Sequence, residues 1–89
     1  MKAVITVMGN DRTGIIAKVS NVLFEANVNI LDISQTIMSG MFTMIMMTDI
    51  SGANVEFSAL SDKLAKVGEE IGMQIVIQHE DIFNSMHKV

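Results

Sequence analysis

The sequence predicts an α+β fold, a four-stranded antiparallel sheet with two helices on one face. Two stretches carry apolar residues at helical spacing, four short runs are rich in β-branched residues or methionine, and the two kinds alternate as β-α-β-β-α-β. With 89 residues there is room for one domain of this kind. Hydrophobic residues make up 49%, charged residues 18%, and mean hydropathy is +0.42, a composition that folds rather than staying disordered.

The first strand is Lys2–Met8, β-branched and apolar on both faces, as a central strand should be. The stretch from Gly9 to Gly14 (GNDRTG) breaks that pattern. Ile15, Val19, Val22, Leu23 and Ala26 then mark one face of a helix, with Lys18, Asn21 and Glu25 opposite and Asn27 placed to end it. Val28–Ser39 reads as the second strand, with Leu31, Ile33 and Ile37 on one face and Asp32, Ser34 and Thr36 on the other. Ser39-Gly40 signals a tight hairpin into the third strand, Met41–Asp49. A loop from Ile50 to Asn54 leads into a second helix whose stripe is Phe57, Leu60, Leu64, Val67 and Ile71, closed by Gly72. Glu56, Asp62, Lys63, Lys66, Glu69 and Glu70 form its solvated side. Met73–His79 is the last strand, with Met73, Ile75 and Ile77 inward and Gln74 and Gln78 outward.

Two crossover connections that must both be right-handed reduce the choice to the split, ferredoxin-like sheet, with strands one and three central and strands two and four at the edges. Residues 1–79 are expected to form the domain and 80–89 a C-terminal extension. Its Ile82, Phe83 and Met86 make one apolar face on a segment too short to be a helix alone, so it is expected to dock on its own or a partner chain. Five of the nine methionines fall between Met38 and Met47. On the third strand Phe42, Met44 and Met46 point one way and Ile45 and Met47 the other. The inward set fills the core, and the outward set calls for self-association or cover from the extension.

Composition excludes several functions. A net charge of −4 leaves no electrostatic footprint for nucleic acid or an anionic membrane, and the four aromatic residues are all phenylalanine. The absence of cysteine removes disulfides, thiolate catalysis and cysteine metal sites, and accords with a cytoplasmic location. No apolar run is long enough to span a bilayer, no signal peptide opens the chain, and no linker divides it. His79 and His87, near Glu80 and Asp81, lie eight residues apart across a strand end and read as surface residues rather than zinc ligands. Alternation scatters the methionine sulfurs over both faces, against a copper site. No metal and no cofactor are expected.

The first loop is the best place for chemistry. The residues Asn10-Asp11-Arg12-Thr13-Gly14 join the end of a central strand to a helix N-terminus, where free backbone N–H groups and the helix dipole attract an anion. Gly14 allows close backbone approach, Arg12 can reach a carboxylate or phosphate, and Asp11 can accept from an ammonium group. Together they suit a zwitterion better than a bare phosphate. The competing reading is structural: Asp11 or Thr13 caps the helix and Gly14 permits tight packing.

The pattern Gly9-x-Asp11-Arg12-x-Gly14-Ile15, followed by Val19, Leu23, Asn27, Asn29-Ile30 and Asp32, resembles the signature of ACT domains, small ligand-binding modules of regulators of amino-acid metabolism. The likeness covers residues 1 to about 79, and the length with its tail is similar to free-standing bacterial members. It implies the βαββαβ fold and a homodimer, with a small amino acid or related carboxylate held between the first loop of one copy and the second strand of the other. Asn10, Asp11, Arg12, Thr13, Gly14 and Ile15 would supply the loop, and Asn29, Ile30 and Asp32 would face it from the neighbour. Gly9 stands where some amino-acid-binding members carry a polar side chain, a departure that argues against serine-type recognition. The implied role is non-catalytic, and any regulated protein is expected to be a separate chain.

Two other readings stand beside it. The apolar sheet face would serve a protein–protein interaction module without a small ligand. Acylphosphatases share topology and length, yet such an enzyme needs an asparagine on the third strand to position water, and Met41–Thr48 contains none.

Overall fold

The computed structural model describes residues 1–86, which form β1 (Lys2–Asn10), α1 (Ile15–Glu25), β2 (Asn29–Met38), β3 (Met41–Asp49), α2 (Phe57–Ile71), β4 (Met73–His79) and α3 (Glu80–Met86). The strands lie in the order β2-β3-β1-β4, every neighbouring pair antiparallel, so β1 and β3 are central as the sequence predicts. Alternation along the central strands sends Ala3, Ile5, Val7, Phe42, Met44 and Met46 under the helices, where all six are buried. Thr48 shares that side, and its hydroxyl donates to the Ala3 carbonyl at 2.8 Å, which satisfies a polar group inside the core.

Helix α1 buries Ile15, Val19, Val22 and Leu23, the predicted stripe. Its C-terminal end is closed by the chain itself. Asn27 takes a left-handed conformation (φ 57°), and the N–H groups of Asn27 and Val28 donate to the carbonyls of Phe24 and Leu23. Asn54 then donates from its backbone to Ala26 and from its side chain to Glu25. Helix α2 buries Leu60, Leu64 and Ile71 and ends at Gly72 with φ 71°. It lies close on β4: a Cβ on Gly68 would sit 2.5 Å from the Met73 carbonyl oxygen, so no larger residue fits there unchanged. The β2–β3 hairpin turns through Ser39 and Gly40, both at positive φ, which matches the twist of the flanking strands.

Two features depart from or complete the sequence reading. The β2–β3 register shifts between Ile30 and Asp32, so Leu31 is the extra residue of a bulge. Ile33 and Ile37, with Gln35, share the helix side, whereas Leu31 does not keep strict alternation with them. The extension forms α3, which packs on β1 and β4. Gln78 donates to the sulfur of Met86 at 3.1 Å, and its register partner Val4 is 1% exposed although outside the main core cluster. Both observations put α3 on the sheet face away from the other two helices.

Candidate functional site

The loop between β1 and α1 is tied to the β2–β3 hairpin by a backbone bond from the Asp11 N–H to the Gly40 carbonyl at 2.8 Å. Gly14 is the N-cap of α1 with φ 90°, a conformation that glycine adopts without strain, and a Cβ there would meet open space. Gly14 therefore serves backbone conformation rather than tight packing. No side chain caps the helix, so neither Asp11 nor Thr13 plays that structural role. The first intrahelical bond runs from Lys18 to Gly14, which leaves the N–H groups of Ile15, Ile16 and Ala17 at the head of the helix ahead of it.

Those amides open onto a cleft of about 340 Å³, whose lining includes Asp11, Arg12, Ile16, Gln35, Ile37 and Phe42. Asp11 and Arg12 are exposed, and among the described residues the one ion pair joins the N-terminal ammonium to Asp49, so neither loop charge is spent inside the chain. The cleft thus has a polar rim of one cation, one anion and a helix N-terminus above an apolar floor. Such a site can hold a small zwitterion by both ends.

Of the predicted site residues, Asp11, Arg12, Gly14 and Ile15 line this cleft. Thr13 is exposed in the turn and is not part of the lining. Asn10 pairs with Met41 and so shares the open face of the sheet, away from Ile37 and Phe42. Asn29, Ile30 and Asp32 lie at the other end of β2: Asn29 pairs with Asp49 and Asp49 with Lys2, whereas the loop adjoins Met38 and Met41. At about 3.3 Å per residue the two ends are roughly 25–30 Å apart within one chain. Sequence reasoning missed Gln35, Ile37 and Phe42, although the Ser39-Gly40 hairpin was the signal that returns the chain to the loop.

Gly9 has a local explanation. A Cβ there would lie 2.8 Å from the Gly72 carbonyl oxygen and 2.8 Å from the Met73 sulfur, so close packing at the end of α2 requires glycine. His79 stacks on Phe57 with ring centroids 4.3 Å apart, and His87 lies outside the described residues. Among the described residues no helix is long and apolar enough to cross a membrane.

A family model for the ACT domain matches residues 2–78. The chain belongs to the ACT domain family. ACT domains are typically regulatory ligand-binding modules, and in this one the family match runs from the start of β1 to Gln78, one residue before the end of β4. The chain is 57% identical over 88 residues to a UPF0237 protein of Methanocaldococcus jannaschii, covering 99% of this chain and 98% of that one. The solved ACT domain protein from Streptococcus pneumoniae is 40% identical, with a TM-score of 0.81 and 93% of each chain covered. The regulatory subunit of aspartate kinase from Thermus thermophilus shares the fold: TM-score 0.67, 24% identity, 86% of this chain and 50% of that one.

Proposed function

We propose that this ACT domain is a non-catalytic cytoplasmic sensor that binds a small amino acid or related carboxylate where two copies meet along β2. The uncapped N-terminus of α1, with Arg12 and Asp11 beside it over the cleft, is the observation that carries the reading. A carboxylate would sit at the helix amides and Arg12, and an ammonium group at Asp11, with the side chain against Ile37 and Phe42.

The second copy is supported by β2 itself. Every residue of this edge strand except Ile30 is exposed, and Ile33, Ile37, Ile16 and Phe24 extend an apolar strip along the same flank. An unpaired edge of this kind is a template for another strand. Antiparallel pairing of β2 with β2 of a second copy would bring that copy's Asn29, Ile30 and Asp32 beside the first copy's Ile37 and Met38, at the mouth of the cleft. Binding energy would then shift the packing of the two copies, and with it the affinity for a separate regulated protein.

Calorimetry and thermal shift across the proteinogenic amino acids test the reading. At least one amino acid is expected to raise the melting temperature of the wild type, and Asp11→Ala and Arg12→Ala are expected to abolish that response with the fold intact. Silence across the whole panel would refute ligand binding, and an undiminished response in both variants would refute the site.

A further inference from the structure

A groove of about 300 Å³ lies between the last turn of α1, the residues just before α2 and α2 itself. Its floor is aliphatic: Val22 and Ala26 are buried, and Val55 and Val67 are half-buried against the core. Its rim is charged, with Glu25 on α1 and Lys63, Lys66 and Glu70 on α2, all four exposed. The walls are fixed by hydrogen bonds. Asn54 donates from its backbone to the Ala26 carbonyl at 3.0 Å and from its side chain to the Glu25 carbonyl at 2.9 Å, and the Asn27 side chain donates to the Gly52 carbonyl at 2.8 Å. The groove is therefore preformed, which lowers the cost of filling it. The rim charges are also unspent. Asp62, Lys66 and Glu70 follow one another at four-residue spacing, which on a helix brings carboxylate and ammonium groups together. Among the described residues, however, the one ion pair is that of the N-terminal ammonium with Asp49, so Lys66 pairs with neither carboxylate and Lys63 with none. Glu25 accepts one long bond, at 3.4 Å from the Asn21 side chain.

We propose that this groove is a second small-molecule site and that it takes an aliphatic amino acid. Lys63 and Lys66 hold the carboxylate, Glu70 and Glu25 take the ammonium group, and the side chain lies on Val22, Val55 and Val67. A bare anion would meet two carboxylates here and a bare cation two ammonium groups, whereas a zwitterion answers both pairs. Lys66 and Glu70 stand one turn apart, ~5–6 Å between Cβ atoms, which leaves room between their ends for two charges borne on one carbon. The floor contains no aromatic ring and no charge, so the apolar part it receives is a short aliphatic chain. Size agrees, since ligand pockets begin near about 300 Å³ and one of that volume suits an amino acid rather than a nucleotide. The groove lies at the opposite end of α1 from the cleft beside Arg12. Eleven residues at ~1.5 Å rise set the two roughly 16 Å apart, and they share no lining residue.

Methyl spectra of the full chain, titrated with leucine to millimolar concentration, test the site. Leucine is expected to shift the Val22, Val55 and Val67 signals saturably. Isocaproate keeps the chain and the carboxylate, isoamylamine the chain and the ammonium group, and each is expected to bind about tenfold or more weakly for want of one charge-assisted contact. Lys63→Ala combined with Lys66→Ala is expected to weaken leucine by about tenfold or more, with circular dichroism melts unchanged because both side chains are exposed. The Ile16 and Ile37 signals report the first cleft in the same spectra, so failure there is told apart from failure here. No saturable shift at the three valines would overturn the site, as would an undiminished response in the double variant. Isocaproate binding as well as leucine would overturn the role of Glu25 and Glu70.

Discussion

The two edge strands of the sheet are built from similar residues and have opposite surroundings. In β4, Met73, Ile75 and Ile77 are buried beneath α2, and α3 closes the far side near Gln78. In β2 the corresponding helix-side residues Ile33 and Ile37 stay exposed, Ile37 beside the first turn of α1 at the cleft. Ile75 is 9% exposed and Ile33 42%, so one residue type in one kind of strand differs nearly fivefold. Coverage by other elements, not hydrophobicity, sets the burial. The ends of α1 repeat the contrast. The C-terminal end is closed by Asn27 and Asn54, whereas the N-terminal end faces the cleft without a cap.

Substitutions that shorten the same residue on the two edges should therefore separate sharply. Ile75→Ala is expected to destabilise the protomer by about 2–4 kcal/mol in urea denaturation, because it opens a cavity under α2. Gly68→Ala, also on the β4 side, should cost about 1–3 kcal/mol through overpacking against the Met73 carbonyl. Ile33→Ala should change protomer folding by no more than about 0.5 kcal/mol, its effect appearing instead as weaker pairing of copies in sedimentation. Equal losses from Ile75→Ala and Ile33→Ala would erase the distinction between the edges.

The smallest effect concerns the start of β2, where Asn29 pairs with Asp49. Bonding from Ser51, by its side chain and by its backbone N–H at 2.9 Å, holds the Asp49 carboxyl below its ordinary value of 3.8. A carboxyl depressed by folding stabilises the folded state above its unfolded pKa, and that contribution is lost as pH falls through the lower folded value. Asp49→Asn is expected to remove this slight acid sensitivity, seen as a flatter melting temperature below pH 4. A steeper acid dependence in the variant would contradict the assignment.

Most of the fold was legible because burial in this chain follows period. The stripe Ile15, Val19, Val22 and Leu23 and the alternation Phe42, Met44 and Met46 each allow one placement against a single core. Leu31 was misread because a bulge inserts one residue without changing composition, so pattern alone keeps counting in twos. The side on which α3 docks was not legible either, since Ile82, Phe83 and Met86 record that the segment is amphipathic and not which face it meets. Within the site, Asp11, Arg12 and Gly14 could be found from their place between strand and helix. Gln35 and Ile37 could not, because they reach the cleft through a neighbouring strand rather than through the loop's own sequence. Asn10 lies apart from them by parity, one step along β1 being enough to carry it to the opposite face.

Gly9 and Gly68 have a mechanical consequence. Each lets main chain lie on main chain where α2 runs into β4, at the two sides of the Gly72-Met73 junction. The Gly72 and Met73 carbonyls in these contacts cannot reorient as a side chain does, so this corner resists repacking and acts as the anvil of the domain. The loop at the cleft has no such contact: it runs directly into α1 and is tied to the hairpin at Ser39-Gly40 by the Asp11 N–H to Gly40 carbonyl bond.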